Sequence, residues 1–239
     1  MKKVIKKKII KKRDEVLKIL AGKTAGFYLG GGTALSLFYF GHRESYDVDF
    51  FTKEFSVKQI SDIIAHLSES IKADIKLQAE EQRKDRAQMM RYFLAIDEKY
   101  SLKIDFIEDV YKLIKPLKTI DDNPVLSIED IYLRKLFAIC GSSETTDDIG
   151  RKVFIGGRQE AKDFFDLYFL SVTFMPLSKF ALEFCSPLQI ESIIVWYRTY
   201  KRADMKLGLK DIITDKHIDF HNIERHFKVE IENMIKGEL

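Results

Sequence analysis

Apolar residues recur at roughly helical spacing from Val4 to Leu20, with lysines between them, and this spacing predicts an amphipathic helix with a basic face. A short apolar run, Phe27–Leu29, then meets Gly30-Gly31-Gly32 and predicts a strand ending in a turn. Thr33–Phe40 predicts a helix turning back over the sheet. Asp47–Phe51 predicts a second strand, with Asp47 and Asp49 on one face and Val48 on the other, because side chains i and i+2 point the same way. Val57, Ile60, Ile63, Ile64 and Leu67 keep helical spacing behind Ser56, a suitable N-cap. Ile71–Ala79 alternates in part, Glu80–Arg86 reads as a charged turn, and Met89–Ile96 with Ser101–Ile107 reads as a hairpin closed by Asp97–Tyr100. In its second strand Ile104 and Phe106 face one way and Asp105 the other.

Turn signals at Lys115–Pro124 predict a boundary, after which strand-type alternation stops. Ser127 with Asp130 resembles an acidic capping box opening a helix to about Ile139. Gly141–Gly157 is polar and glycine-bearing and reads as a long loop, Gln159–Thr173 as a helix, and Pro187 as the first residue of a helix reaching Tyr200. The last thirty residues read as short charged helical segments. The expected architecture is α+β: a mixed sheet with flanking helices over residues 1–120, and a mainly helical domain over 125–239.

With 239 residues, 46% of them hydrophobic, the chain can bury a full core. Charged residues make up 32% but nearly cancel to +3, so this is not a polybasic protein, although clustered lysines at the N-terminus still suit a polyanion such as RNA. The two cysteines, Cys140 and Cys185, lie in apolar surroundings and read as buried free thiols in a reducing compartment. No signal peptide pattern and no membrane-spanning run is present, so a soluble cytoplasmic protein without a membrane partner is expected.

The candidate chemistry follows from the order of the pieces. Asp47 and Asp49 on one strand face, with Asp105 on a neighbouring strand, would give three convergent carboxylates, a donor set suited to two Mg²⁺ ions, with Mn²⁺ as a substitute. Asp47 and Asp49 would hold the ions carrying a nucleoside triphosphate, and Asp105 would complete the second site and help deprotonate an acceptor hydroxyl. Gly31, Gly32 and Thr33 would offer backbone N–H groups and a hydroxyl to the phosphates. Arg43 is a further phosphate candidate, or an ion-pair partner steering the Asp47 strand. No Gly-Lys-Ser/Thr follows the glycines, and their spacing is not G-x-G-x-x-G, so neither a Walker A loop nor a dinucleotide-binding fingerprint is present. His42 has no neighbouring Cys or His to make a metal site.

Leu29-Gly30-Gly31-Gly32-Thr33-Ala34-Leu35, followed by His42-Arg43-x-Ser45-x-Asp47-x-Asp49-Phe50-Phe51, resembles the signature of AbiEii/AbiGii-type nucleotidyltransferase toxins, within the DNA polymerase β-like nucleotidyltransferase superfamily. A second block, Lys135-Leu136-Phe137-Ala138 and Lys162-Asp163-Phe164-Phe165-Asp166-Leu167, is similar to that family's later signature, so the resemblance runs from about Phe27 to Leu170. It implies that Lys135 neutralises nucleotide phosphates, that Asp163 is a catalytic base or orienting group contributed by the helical domain, and that Lys162 is a further phosphate ligand. Asp166 would cap or ion-pair, and Arg151 or Arg158 would contact nucleotide or RNA. The resemblance further implies a bacterial toxin that moves a nucleotide from an NTP to an acceptor hydroxyl, such as the tRNA 3′ end, with a cognate antitoxin. Nucleotidyl transfer to a small molecule or to a protein would use the same carboxylates. A catalytically silent module binding nucleotide or RNA is the rival from another class.

Overall fold

In the computed structural model, which describes residues 2–82, 87–141, 143–150 and 152–237, the chain divides into two compact units, Met1–Asp130 and Ile131–Leu239. The first opens with helix α1 (Lys2–Leu20), which buries Val16, Leu17 and Leu20. Strand β1 (Phe27–Leu29) leads into a single helical turn, α2 (Gly31–Ala34), that widens into a π-helical stretch over Leu35–Phe40 and stops at Gly41 in the left-handed region (φ 57°). The expected helix is therefore present, but it starts at Gly31, before the predicted Thr33. Its wider turn is a geometry that recurs at functional sites. Strand β2 (Val48–Thr52) and helix α3 (Val57–Ile71) follow, with the Ser56 hydroxyl accepting from the Gln59 N–H at 3.3 Å. Strands β3 (Ile75–Glu81), β4 (Met89–Ala95) and β5 (Ser101–Glu108) complete the central part. Of the charged turn expected at 80–86, residues 83–86 lie outside the described residues.

Among the described residues the first unit is built on a seven-stranded mixed sheet in the order β3-β4-β5-β2-β1-β7-β6, where β6 is Lys118–Ile120 and β7 is Asn123–Val125. β2 runs parallel to β5 and antiparallel to β1, and β4 runs antiparallel to β5. One face of this sheet is apolar: Val48, Phe50, Ile104 and Phe106 are fully buried, with Phe106 stacked on Phe50 and edge-on to Phe27, both at 5.3 Å between ring centres. Burying residues of this size contributes about 1.5–3 kcal/mol each and fixes strand register, because a slip by one residue would turn the apolar set outward. The opposite face is left for the polar residues that alternate with them.

A boundary is expected at 115–124. Its turn residues build the β6–β7 hairpin, with Asp121 and Asp122 at positive φ (50° and 58°), and β7 joins the sheet parallel to β1. The division between units falls later, within helix α4 (Ile128–Cys140), after Asp130. The Asp130 N–H bonds the Ser127 hydroxyl at 3.0 Å, while its carboxylate accepts from Ser127 Oγ and from the N–H groups of Ile114 and Lys115.

In the second unit the polar segment 141–157, expected as a loop, contains the hairpin β8 (Ser143–Thr146) and β9 (Lys152–Ile155). Its polar, glycine-bearing composition hid two strands too short to show alternation. Helices α5 (Ala161–Thr173), α6 (Leu177–Phe184), α7 (Pro187–Thr199) and α8 (Arg202–Gly208) follow. Ser186 and Gln189 form a reciprocal capping box on α7, with Pro187 at its first position. The C-terminal segment is one 18-residue helix, α9 (Phe220–Gly237), and not short pieces. Ile223, Phe227, Ile231 and Met234 form its buried stripe, which dense charge on the other positions concealed in the sequence. Phe164 of α5 sits at the centre of this core, 5.0 Å from Phe227 and 5.3 Å from Tyr200 between ring centres. Cys140 and Cys185 are free, and burial pushes both thiols up to about 12. Among the described residues no single helix is long and apolar enough to cross a membrane.

Candidate active site

The polar face of the central sheet gathers the first set of candidates. Parallel pairing puts Asp49 of β2 beside Asp105 of β5, and antiparallel pairing puts Asp105 beside Arg91 of β4, so one register line reads Asp49, Asp105, Arg91. Asp47 precedes β2 by one residue and shares the face of Asp49. Lys103, two residues before Asp105, shares the face of Asp105. Arg91 holds Asp105 through both oxygens, Nε to Oδ1 and Nη2 to Oδ2, each at 2.8 Å. Lys103 Nζ lies 3.2 Å from Asp47 Oδ2 and 3.3 Å from Asp105 Oδ2.

The field of this face follows from those positions. Burial works against the charge on Lys103, yet Asp49, Asp47 and Asp105 together outweigh it and raise its affinity for a proton. The hydrogen bond to Asp105 does most to raise that of Arg91, against partial burial. Three carboxylates therefore share one sheet face, with Lys103 between Asp47 and Asp105 and Arg91 on the far side of Asp105.

The glycine turn abuts this face. Gly31 adopts φ +66°, and a Cβ built on it would stand 2.5 Å from Asp49 Oδ2, so a side chain here would be strained and would have to push that carboxylate aside. The Gly30 N–H donates to the Asp49 carbonyl at 3.1 Å. Gly31, Gly32 and Thr33 are the first residues of α2, where N–H groups have no carbonyl within the helix to reach. The Thr33 hydroxyl, expected to face phosphate, is buried and donates to the Asp47 carbonyl at 2.5 Å, with Ser45 Oγ at 2.8 Å. It fixes the backbone that presents Asp47. Arg43 is also buried and donates to the Glu44 carbonyl. His42 is buried edge-on to Phe40.

Hard carboxylate oxygens on neighbouring strands are the donors a Mg²⁺ ion prefers, and a cationic ammonium already lies between two of them. The donor set fits such an ion. As the side chains are arranged, no three carboxylate, imidazole or thiol groups among the described residues close on one point. Asp105 is committed to Arg91 and Lys103.

The second block of candidates forms its own cluster in the second unit. Lys135 Nζ on α4 lies 2.6 Å from Asp163 Oδ1 and 2.7 Å from Asp166 Oδ2, both on α5. Arg158 adds Nε to Asp163 Oδ2 at 2.5 Å and Nη2 to Oδ1 at 3.1 Å. Lys135, Asp163 and Asp166 are buried. Desolvation alone would raise the Asp163 carboxyl, but Lys135 and Arg158 overcome it and hold Asp163 below the usual range. Arg158 reaches Asp163 because the chain returning from the β8–β9 hairpin lies against the end of α4: the Arg158 N–H donates to the Ala138 carbonyl at 2.8 Å, and a Cβ on Gly157 would collide with the Ile139 carbonyl. Lys162 is half-exposed and pairs with Glu160 at 3.0 Å, apart from this cluster. Arg151 lies outside the described residues.

The family model for the nucleotidyl transferase AbiEii toxin of type IV toxin–antitoxin systems matches residues 16–230. The chain belongs to this family. Membership makes it a toxin-family nucleotidyltransferase, and implies an NTP substrate and an antitoxin partner. Two solved structures share the fold: JHP933 from Helicobacter pylori, with a TM-score of 0.53 and 19% identity over 98% of this chain and 94% of that one, and a protein from H. pylori assigned as a nucleotidyltransferase, with a TM-score of 0.52 and 20% identity over 98% and 96%. No curated protein matches the chain in sequence.

Two residues beside the candidate carboxylates, Arg91 and Lys103, escaped the sequence reading. Arg91 was findable, since a hairpin closed by Asp97–Tyr100 pairs it with Asp105. Lys103 was findable by its two-residue offset from Asp105. Arg158 was named as a nucleotide or RNA contact, but its pairing with Asp163 was not legible, because its position depends on the unrecognised β8–β9 hairpin. The glycine contact supplies a test. Gly31→Ala is expected to lower nucleotidyl transfer by roughly 10–100-fold, since the methyl must displace the Asp49 carboxylate and an ångström-scale displacement costs that order of rate. Activity assays alongside a thermal melt check this, and Gly22→Ala, at a positive φ with open space around it, separates backbone strain from the Asp49 contact.

Proposed function

We propose that this AbiEii-family chain is a divalent-metal-dependent nucleotidyltransferase that moves a nucleotide from an NTP to an RNA hydroxyl, with the tRNA 3′ end as the preferred acceptor. The observation that carries the proposal is the joining of Asp47, Asp49 and Asp105 on one sheet face, with the glycine turn against Asp49. In this reading Asp47 and Asp49 hold the metal, and Asp105 joins them when Lys103 leaves it. The metal supplies charge neutralisation on the attacking and leaving oxygens. The chain's own residues do the rest. Arg91 aims Asp105, Thr33 fixes the Asp47 backbone, and the first N–H groups of α2 face incoming phosphate.

The RNA part rests on α1. Arg13 of this helix donates to the Ser45 carbonyl, and Lys6 lies over the Tyr46 ring at 5.4 Å, so the basic helix flanks the segment that leads directly into Asp47. Lys7, Lys8 and Lys11 are exposed on it. Lysines aimed at phosphates position a nucleic acid without reading its sequence. Replacing Lys7, Lys8 and Lys11 with Gln is expected to raise the KM for RNA severalfold at physiological salt and to flatten its salt dependence, with little change in kcat. Steady-state kinetics across a salt series read this out, and an unchanged KM removes α1 from the RNA surface.

The deciding experiment incubates the purified protein with Mg²⁺, each labelled NTP in turn, and total tRNA or cell lysate. Label on tRNA supports the proposal. Label on protein or on a small molecule moves the acceptor to another class, and bound nucleotide without transfer under any condition supports a silent binding module.

A further inference from the structure

We propose that Lys103 is a tethered counter-ion: its ammonium occupies the cation position between Asp47 and Asp105 in the nucleotide-free protein and yields it when a nucleoside triphosphate offers a new anionic partner. The inference rests on the metal-site reading given above.

The two cations on this sheet face are held in different ways. Arg91 grips Asp105 with two parallel bonds of 2.8 Å, the planar fork matching the carboxylate. Lys103 makes single contacts at 3.2 and 3.3 Å to two different aspartates. A lysine is a point charge on a flexible four-carbon stem, whereas an arginine's geometry is fixed by its fork. Arg91 is therefore the permanent neighbour of Asp105 and Lys103 the displaceable one. The side chain of Lys103 is a quarter exposed, which leaves it a way out toward solvent.

Asp47 and Asp105 sit at neighbouring levels of adjacent strands, and Asp49 lies beside Asp105. Three carboxylates this close repel one another unless a cation stands among them. Lys103 supplies it, so the sheet folds without a metal. The same contact makes Lys103 a competitor of any divalent ion entering alone. Once displaced, the ammonium loses two anionic partners while still partly desolvated, and the oxygens of a triphosphate replace them. Metal and nucleotide then bind with positive coupling, and by linkage each must raise the affinity for the other. Lys103 on this account positions and exchanges charge, and it excludes an idle metal-loaded state.

The test is Mn²⁺ binding to the full-length chain, followed by electron paramagnetic resonance of the free ion and by calorimetry, for wild type, Lys103→Gln, Lys103→Arg and Asp49→Ala. Without nucleotide, Lys103→Gln is expected to bind Mn²⁺ about tenfold more tightly than wild type, and Lys103→Arg no more tightly than wild type. At saturating Mn²⁺, Lys103→Gln is expected to bind α,β-methylene nucleoside triphosphates about tenfold more weakly. A lysine with a purely structural role would not move the two affinities in opposite directions, and the gain of metal affinity cannot come from misfolding. If Asp49→Ala abolishes Mn²⁺ binding but Lys103→Gln binds it no more tightly than wild type, the counter-ion role is overturned while the metal site stands. Mn²⁺ binding indifferent to Asp49→Ala overturns both.

Discussion

Asp49→Ala is expected to reduce nucleotidyl transfer by roughly 10³-fold or more while leaving the melting temperature within a few degrees of wild type. The size follows from what the carboxylate does. In the proposed reaction charge builds on the attacking and leaving oxygens, and Asp49 is one of the ligands that would hold the compensating ion. The small effect on folding follows from where it sits. Asp49 lies on the half-exposed face of β2, whereas the residues that hold the strand in place, Val48 and Phe50, are on the buried face. Removing a carboxylate from a crowded anionic face also relieves repulsion. Measuring transfer and thermal unfolding on the same preparation decides the matter. Transfer at the wild-type rate would sink the metal assignment, and a collapsed melt would move Asp49 from chemistry to folding.

Much of this site was legible because period-2 alternation is a local signal. Val48, Phe50, Ile104 and Phe106 had to point into the core, so Asp47, Asp49 and Asp105 had to point the other way. What alternation does not give is which strands are neighbours. That β2 pairs with β5 in register, joining Asp49 to Asp105, depends on non-local pairing. The glycine turn was visible as glycines, but the reason for Gly31 in particular, the Asp49 carboxylate 2.5 Å from where its Cβ would be, is a tertiary fact. Thr33 shows the opposite error. Its hydroxyl beside glycines reads as a phosphate ligand, yet it bonds the Asp47 carbonyl, because a buried hydroxyl takes the nearest acceptor. In the second unit the aromatic-rich α5 was plain, but α9 was broken into pieces by its dense charge. The β8–β9 hairpin was missed because four-residue strands with polar composition carry no period to read.

Lys135→Met is expected to destabilise the protein by about 3–5 kcal/mol, the range for leaving a buried carboxylate without its partner. Lys135 contacts Asp163 at 2.6 Å and Asp166 at 2.7 Å, and all three are buried. Without the ammonium, Asp163 keeps Arg158, and both aspartates lose an ion pair at full burial. Lys135→Met combined with Asp166→Leu should recover part of the loss, since an apolar pair of similar volume carries no desolvation cost. Denaturant titrations of the two singles and the double give the coupling directly. The same network predicts acid sensitivity. The Asp163 carboxyl is held below its unfolded value, so its contribution is fully present above the unfolded pKa and lost as pH falls through the folded one. His226, half-buried against Tyr168 and 2.7 Å from Ser171 Oγ, acts in the same direction: desolvation lowers its pKa, so acidification below its unfolded value costs stability as well. A melting temperature that falls with acidification for wild type, and less steeply below pH 4 for Asp163→Asn, is the expected pattern. These outcomes govern how the family motif is read in this chain. Lys135 and Asp163 lie in the block that resembles the family's later signature, and a variant that loses activity there first has to be shown folded. Activity lost by Lys135→Met with stability unchanged would locate its role in chemistry; activity lost in proportion to stability would locate it in the charged core of the second unit.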